Sequence, residues 1–184
     1  MLDVRPLAIT DVKLIAPKRH GDLRGYFVET WNRKAFREAG IAIDFRQDNQ
    51  SFSAPKGTVR GLHFQAPPHA QAKLVSVLSG RIFDVAVDLR KSSPSFRRHV
   101  TVELDANDGH QLFVPSGFAH GFATLASDTT VLYKVDAYYA PTSDAGLLWS
   151  DPDLGIHWPV RAEEAILSAK DASLPRLRDI DPPF

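Results

Sequence analysis

An all-β fold, a sandwich or closed barrel with a few short peripheral helices, is predicted by two features of the sequence. Apolar residues recur mostly with a period of two, in short runs rich in Val, Phe, Thr and Tyr. Gly, Pro, Asp and Ser punctuate those runs at close intervals, leaving little room for long helices. In chain order, strands are expected over 12–15, 25–31, 45–51, 59–65, 74–78, 81–89, 100–104, 111–114, 121–125 and 130–139. Ser79-Gly80, between two apolar runs, reads as a tight hairpin turn. Asn32 can cap a helix over 33–39 that Gly40 stops, and 161–165 suits another turn or two. The Pro-rich tail 175–184 is expected to lie loosely along the surface.

Composition bounds the function classes. With 184 residues and 43% hydrophobic content, residues 1–184 suffice for one domain around one core. Lys and Arg number 22, as do Asp and Glu, so neither a nucleic-acid polymer nor an acidic membrane is an expected partner. The absence of cysteine excludes a disulfide framework and any thiolate nucleophile or ligand. No apolar signal core opens the sequence and no stretch is long enough to span a bilayer, so the expected location is cytoplasmic. Antiparallel barrels leave sheet edges, and pairing them across a twofold axis makes a homodimer the expected assembly.

Two spacings carry the chemistry. Gly61, Pro67, His69, Lys73 and Gly80 keep the intervals of Gly, five residues, His-x-His, three or four residues, Glu, six residues, Gly. Gly109, Pro115, Gly117 and His120 keep those of Gly, five residues, Pro-x-Gly, two residues, His. Together they resemble the two cupin motifs, which implies a cupin-type jelly-roll β-barrel. Proline cannot ligate through its side chain, and an ammonium at the carboxylate position repels a divalent cation. His69 and His120 are left as two of the three protein ligands a catalytic metal usually has. No metal and no cofactor are therefore expected, and a cation made of protein takes the metal's place. His120 is expected to donate a hydrogen bond to an anionic or carbonyl oxygen.

Strand parity nominates further residues. Lys73 shares a face with Val75 and Val77, as Tyr133 does with Val131 and Val135. A lysine there is either at a mouth, snorkelling to water, or buried opposite an anion. A tyrosine among valines is either core packing or a proton donor held protonated by its pKa of about 10. His63 is either a silent strand histidine or a general base oriented by a carboxylate that spacing alone does not choose. Arg24, Arg60 and Lys73 could clamp a phosphate, and Phe27, Tyr138 and Tyr139 are candidates for an aromatic platform under a nucleotide base.

Gly21 to Glu29, Gln47-Asp48-Asn49, Val59 to Gln65, Lys73 to Asp88, Val114 to Thr124, Tyr133-Lys134, Tyr138-Tyr139 and Leu167 to Asp171 together resemble the dTDP-4-dehydrorhamnose 3,5-epimerase family. The resemblance covers nearly the whole chain in order. It implies a metal-free epimerase acting on a dTDP-sugar, inverting C3 and C5 of dTDP-4-dehydro-6-deoxy-D-glucose to give dTDP-4-dehydro-L-rhamnose. It further implies His63 as base, Asp171 as its carboxylate partner, Tyr133 as acid and Lys73 at the enolate oxygen. Arg24, Glu29, Gln47, Asp48, Asn49, Arg60, His120, Asp144 and Lys170 fall at substrate-contact positions, with Tyr139 stacking on the thymine. The family usually has Glu where Asp144 stands, so that carboxylate is set back by about one bond length, roughly 1.5 Å. A homodimer with exchanged N-terminal strands is implied as well. Three alternatives remain open: inversion at C3 or C5 only, a metal-dependent cupin using His69 and His120, and a non-catalytic sugar or nucleotide binder.

Overall fold

The computed structural model describes residues 2–184. Among them, thirteen strands form two main antiparallel sheets and one separate hairpin. The first sheet contains β1 (Asp3–Pro6), β2 (Lys13–Ala16), β5 (Gln47–Ser53), β7 (Lys73–Ser79), β10 (Gln111–Val114) and β12 (Thr129–Val135), ordered β1-β2-β10-β7-β12-β5. The second contains β6 (Val59–Gln65), β8 (Arg81–Asp88), β9 (His99–Asp105), β11 (Phe118–Thr124) and β13 (Asp144–Gly146), ordered β13-β6-β11-β8-β9. Strands β3 (Arg19–Asp22) and β4 (Gly25–Val28) pair only with each other. The architecture is the cupin-like jelly roll.

Alternation builds the core. Val75 and Val77, Ile82 and Ala86, Leu112 and Val114, Phe118 and Phe122, and Val131 come from five strands of both sheets and pack as one cluster between them. Intervening residues face outward and are covered twice. Leu74 and Phe113 meet Phe36, Ile41, Trp31 and Phe45 around α1 (Arg33–Glu38). Leu62, Val85, Val87 and Ala119 meet Leu147, Leu154 and Leu177 of the C-terminal segment.

Several expectations are corrected. Ser79-Gly80 is not a hairpin turn, because β7 and β8 lie in different sheets and the turn carries the chain from one to the other. The tail is not loose. Leu177 is buried, its N–H donates to Asp151 Oδ2 at 2.7 Å, and Phe184 packs edge-on against Phe64. Strand β12 ends at Val135, where the Asp136 side chain instead accepts the Ala72 N–H at 2.7 Å. Strand β4 ends at Val28, and β11 begins directly after Gly117. Residues 161–165 make a single hydrogen-bonded turn, whereas a short helix, α2 (Ala169–Ala172), forms beyond them. The helix after Asn32 is as expected: its Oδ1 accepts from the N–H groups of Lys34 and Ala35. Strands β1, β3 and β13 were absent from the expectation, being four residues or fewer and lacking apolar alternation.

Candidate active site

A cavity opens between the sheets. Lys73 and Tyr133 line it from the first sheet, and Arg60, His63 and His120 from the second. Ser168, Lys170 and Asp171 enclose it from α2 and the cap before that helix. This chamber measures about 230 Å³. A second, of about 240 Å³, shares His63, Lys73, Tyr133 and Lys170 and continues past Gln47, Asn49, Tyr139 and Asp144.

Register decides who faces inward. His63 and His120 are direct partners across β6 and β11, so their side chains share a face. Arg60 lies three residues before His63, and strict alternation would point it the other way. A bulge corrects this, since Arg60 pairs with Phe122 and His63 with His120, leaving Gly61 and Leu62 opposite Gly121 alone. Glycines permit the bulge. Gly61 has φ of +123°, and a Cβ there would stand 2.6 Å from the Gly121 Cα.

On β5, Asn49 pairs with Tyr133 and Ser51 with Val131, so Gln47, Asn49 and Ser51 point toward the cavity. Asp48 points away, where it accepts from Lys134 Nζ at 2.9 Å. Gln47 accepts the Tyr139 N–H at 3.0 Å and donates to Asn49 at 2.8 Å, tethering the 139 loop to the strand.

The charges in the chamber are arranged in pairs. His63 Nε2 lies 2.5 Å from Asp171 Oδ1. A carboxylate only accepts, so the proton sits on Nε2 and leaves Nδ1 free. Burial works to raise Asp171, but the bonds from His63 and the Ser168 hydroxyl outweigh it and hold its carboxyl below the ordinary value. His120 Nε2 lies 2.7 Å from Asp84 Oδ1 in the same way. Lys73 is 8% exposed and its Nζ donates to the His63 carbonyl at 3.2 Å. Burial pulls Lys73 down to about 8, opposed by the carboxylates of Asp84 and Asp144. Burial raises Tyr133, which therefore stays a phenol at neutral pH.

At the rim, Asp144 Oδ2 accepts from Lys170 Nζ at 2.5 Å and from the Tyr139 hydroxyl at 3.0 Å. The shorter carboxylate thus contacts both partners directly. The Lys170 ammonium and Tyr139 phenol are both raised by that contact.

Of the residues read from sequence, His63, Lys73, Tyr133, Asp171, Arg60, His120 and Lys170 meet in the first chamber; Gln47, Asn49, Tyr139 and Asp144 join the second. Arg24 and Phe27 are exposed on the β3–β4 hairpin, Arg24 pairing with Asp22 at 2.6 Å. Glu29 accepts from Asn32 Nδ2 at 3.1 Å just beyond it. These three and Asp48 do not line the cavity. His69 is an exposed loop residue that does not line it either, so its place in the cupin spacing is not a place in the cavity. Among the described residues, no three His, Cys, Asp or Glu side chains are grouped as a metal ion would require. Sequence reasoning missed Ser51, Ser168 and Asp84. The signal for Asp84 was available, because it shares the parity of Ile82 and Ala86 in an otherwise apolar run.

A jelly roll that gathers a histidine–carboxylate pair, a phenol and a buried ammonium is a cupin-type enzyme equipped for acid–base chemistry. A family model described as dTDP-4-dehydrorhamnose 3,5-epimerase matches residues 6–179. A curated protein of that name from Sinorhizobium fredii is 50% identical over 178 residues, covering 97% of this chain and 91% of the relative. The crystal structure of the Bacillus anthracis 3,5-epimerase with TDP and PPi bound superimposes with a TM-score of 0.93 at 50% identity, over 96% of this chain and 100% of that one. A Legionella pneumophila relative, described in complex with dTDP-4-keto-L-rhamnose, gives 0.93 at 43% identity, over 98% and 95%. The chain belongs to the dTDP-4-dehydrorhamnose 3,5-epimerase family and is an isomerase. No described helix is long and apolar enough to cross a membrane.

Proposed function

We propose that this isomerase inverts C3 and C5 of dTDP-4-dehydro-6-deoxy-D-glucose, giving dTDP-4-dehydro-L-rhamnose for dTDP-L-rhamnose biosynthesis, with His63 as base and Tyr133 as acid. The observation that carries the reading is their placement on facing walls of one chamber, with Lys73 beside both. A C4 ketone acidifies the protons on C3 and C5. Inversion at either carbon then requires removing a proton from one side and delivering one to the other. His63 Nδ1 takes the proton, and Asp171 stabilises the resulting imidazolium. Negative charge moves onto the ketone oxygen as an enolate, where the Lys73 ammonium offsets it; a preorganised donor at such a position contributes about 3–4 kcal/mol. The Tyr133 hydroxyl returns a proton from the opposite wall.

Arg60 and Lys170 are assigned to the diphosphate by charge, Tyr139 to the base by its half-exposed ring, and Gln47, Asn49, His120 and Asp144 to the remaining polar contacts. Arg24, Phe27, Glu29 and Asp48 are assigned through a homodimer. The β3–β4 hairpin pairs only with itself and exposes Leu23, Tyr26 and Phe27, which supports an arm that exchanges with a second copy and brings its contacts to the partner's cavity. The whole of 1–184 is read as one working domain.

Turnover of dTDP-4-dehydro-6-deoxyglucose in deuterated water without added metal tests the reading. Deuterium at both C3 and C5 by NMR is expected. Label at one carbon would instead identify a single-centre epimerase, and no label a binding protein.

A further inference from the structure

Asp84 has no part in the scheme above, yet it is fully buried beside the cavity, with 0% exposure. It lies in the middle of β8, in the row of Ile82 and Ala86 that faces the barrel interior. Its Oδ1 accepts from His120 Nε2 at 2.7 Å, and its Oδ2 is buried with no partner in the chain. A carboxylate left half-satisfied in an apolar wall is destabilising, so packing does not account for it.

We propose that Asp84 is a positioning residue for the epimerisation: it holds His120 with Nδ1 turned to the cavity and supplies the negative charge that keeps Lys73 an ammonium during turnover. The inference rests on the role given to Lys73 under the proposed function.

The surroundings of Lys73 favour Asp84 over the other acids. Burial depresses the ammonium to about 8, and Asp84 is the foremost charge opposing it, ahead of Asp144. Asp144 is already shared between Lys170 and Tyr139, and Asp171 is engaged by His63. Asp136, on the loop after β12, accepts the Ala72 N–H. Arg60 and Lys170 face the same chamber as further cations. Only Asp84 among these acids has a buried oxygen with no partner among the described residues. The same carboxylate fixes the His120 proton on Nε2, which leaves Nδ1 as the ring atom available to the chamber.

The pH dependence of kcat/KM tests this, because its limbs report groups of the free enzyme. The wild type is expected to lose activity as pH rises past about 8, where Lys73 deprotonates. Asp84→Asn retains an oxygen for His120 and removes only the charge, so its alkaline limb should move down by roughly one pH unit, with about a fivefold loss at pH 8 that approaches tenfold well above it. His120→Phe keeps a ring in place but removes the donor, leaving Asp84 to face Lys73 without its hydrogen-bond partner, so that limb should move up. An Asp84→Asn profile that superimposes on the wild type overturns the proposal. If Asp84→Asn does not fold, a His120→Phe limb that stays in place or moves down overturns it equally. Lys73→Met separates this from failure of the underlying reading. Full activity in Lys73→Met would reject the role of Lys73 itself, whereas a crippled Lys73→Met beside an unshifted Asp84→Asn would reject only that of Asp84.

Discussion

Lys73 and Asp88 are both withdrawn from solvent, one at the cavity and one at the end of β8, but their surroundings treat them differently. Asp88 accepts from the Arg90 N–H, Nε and Nη2 and from the hydroxyls of Ser93 and Ser95, all within 3.0 Å. Burial works to raise its carboxyl, yet the Arg90 and serine donors together hold it at about 2. Lys73 has one bond, at 3.2 Å, to a backbone carbonyl. An ionised group surrounded by donors is spent on folding. One left with unused donors toward a cavity is available to a ligand, at a cost to the fold.

That contrast can be broken by substitution. The largest effect is expected from His63→Ala, which should lower kcat by about a thousandfold and abolish deuterium exchange at both carbons, with a fall in the urea midpoint because the buried Asp171 loses its partner. Lys73→Met follows, with kcat down roughly a hundred- to a thousandfold. Its stability should rise instead of fall. The folded protein holds Lys73 near 8 against an ordinary 10.5, so the unfolded chain binds more protons between those values. The cost is full below about 8 and fades as pH climbs to 10.5; relieving it at pH 7 is worth up to about 3 kcal/mol by urea denaturation.

Asp88→Asn should do the reverse, losing about 1–3 kcal/mol of stability while kcat stays within twofold (about ±0.4 kcal/mol) of the wild type. Because the Asp88 carboxyl is depressed from 3.8 to about 2, its contribution is present above pH 4 and lost as pH falls toward 2, visible as a steeper acid denaturation than in the variant. The smallest change is expected for Tyr139→Phe, which keeps the ring and loses the hydroxyl to Asp144. A rise in KM of a few fold, with kcat unchanged, would sharpen the view that the rim binds while the chamber reacts.

The chamber was partly legible before any coordinates. Lys73 and Tyr133 could be placed because each sits where the β7–β12 register runs regularly, from Val131 opposite Val77 to Val135 opposite Lys73, and parity is a reliable guide there. Arg60 could not be, since its orientation depends on a bulge that only the Gly61–Gly121 approach explains. Spacing was equally silent on Asp171, 108 residues from His63, and only the resemblance to a known family paired them. Asp84 hid for the opposite reason: the apolar run around it marks a strand so plainly that its shared parity with Ile82 and Ala86 does not stand out. A glycine between two strands marks a turn, but says nothing about whether those strands belong to the same sheet.

Asp171 comes from the stretch that follows the thirteenth strand, after the walls of the barrel are laid down. During synthesis the histidine leaves the ribosome long before its carboxylate does. A chain halted in between would own the base but lack the group that orients it. Copies terminated ahead of residue 171 should therefore be catalytically feeble even where they find the right shape.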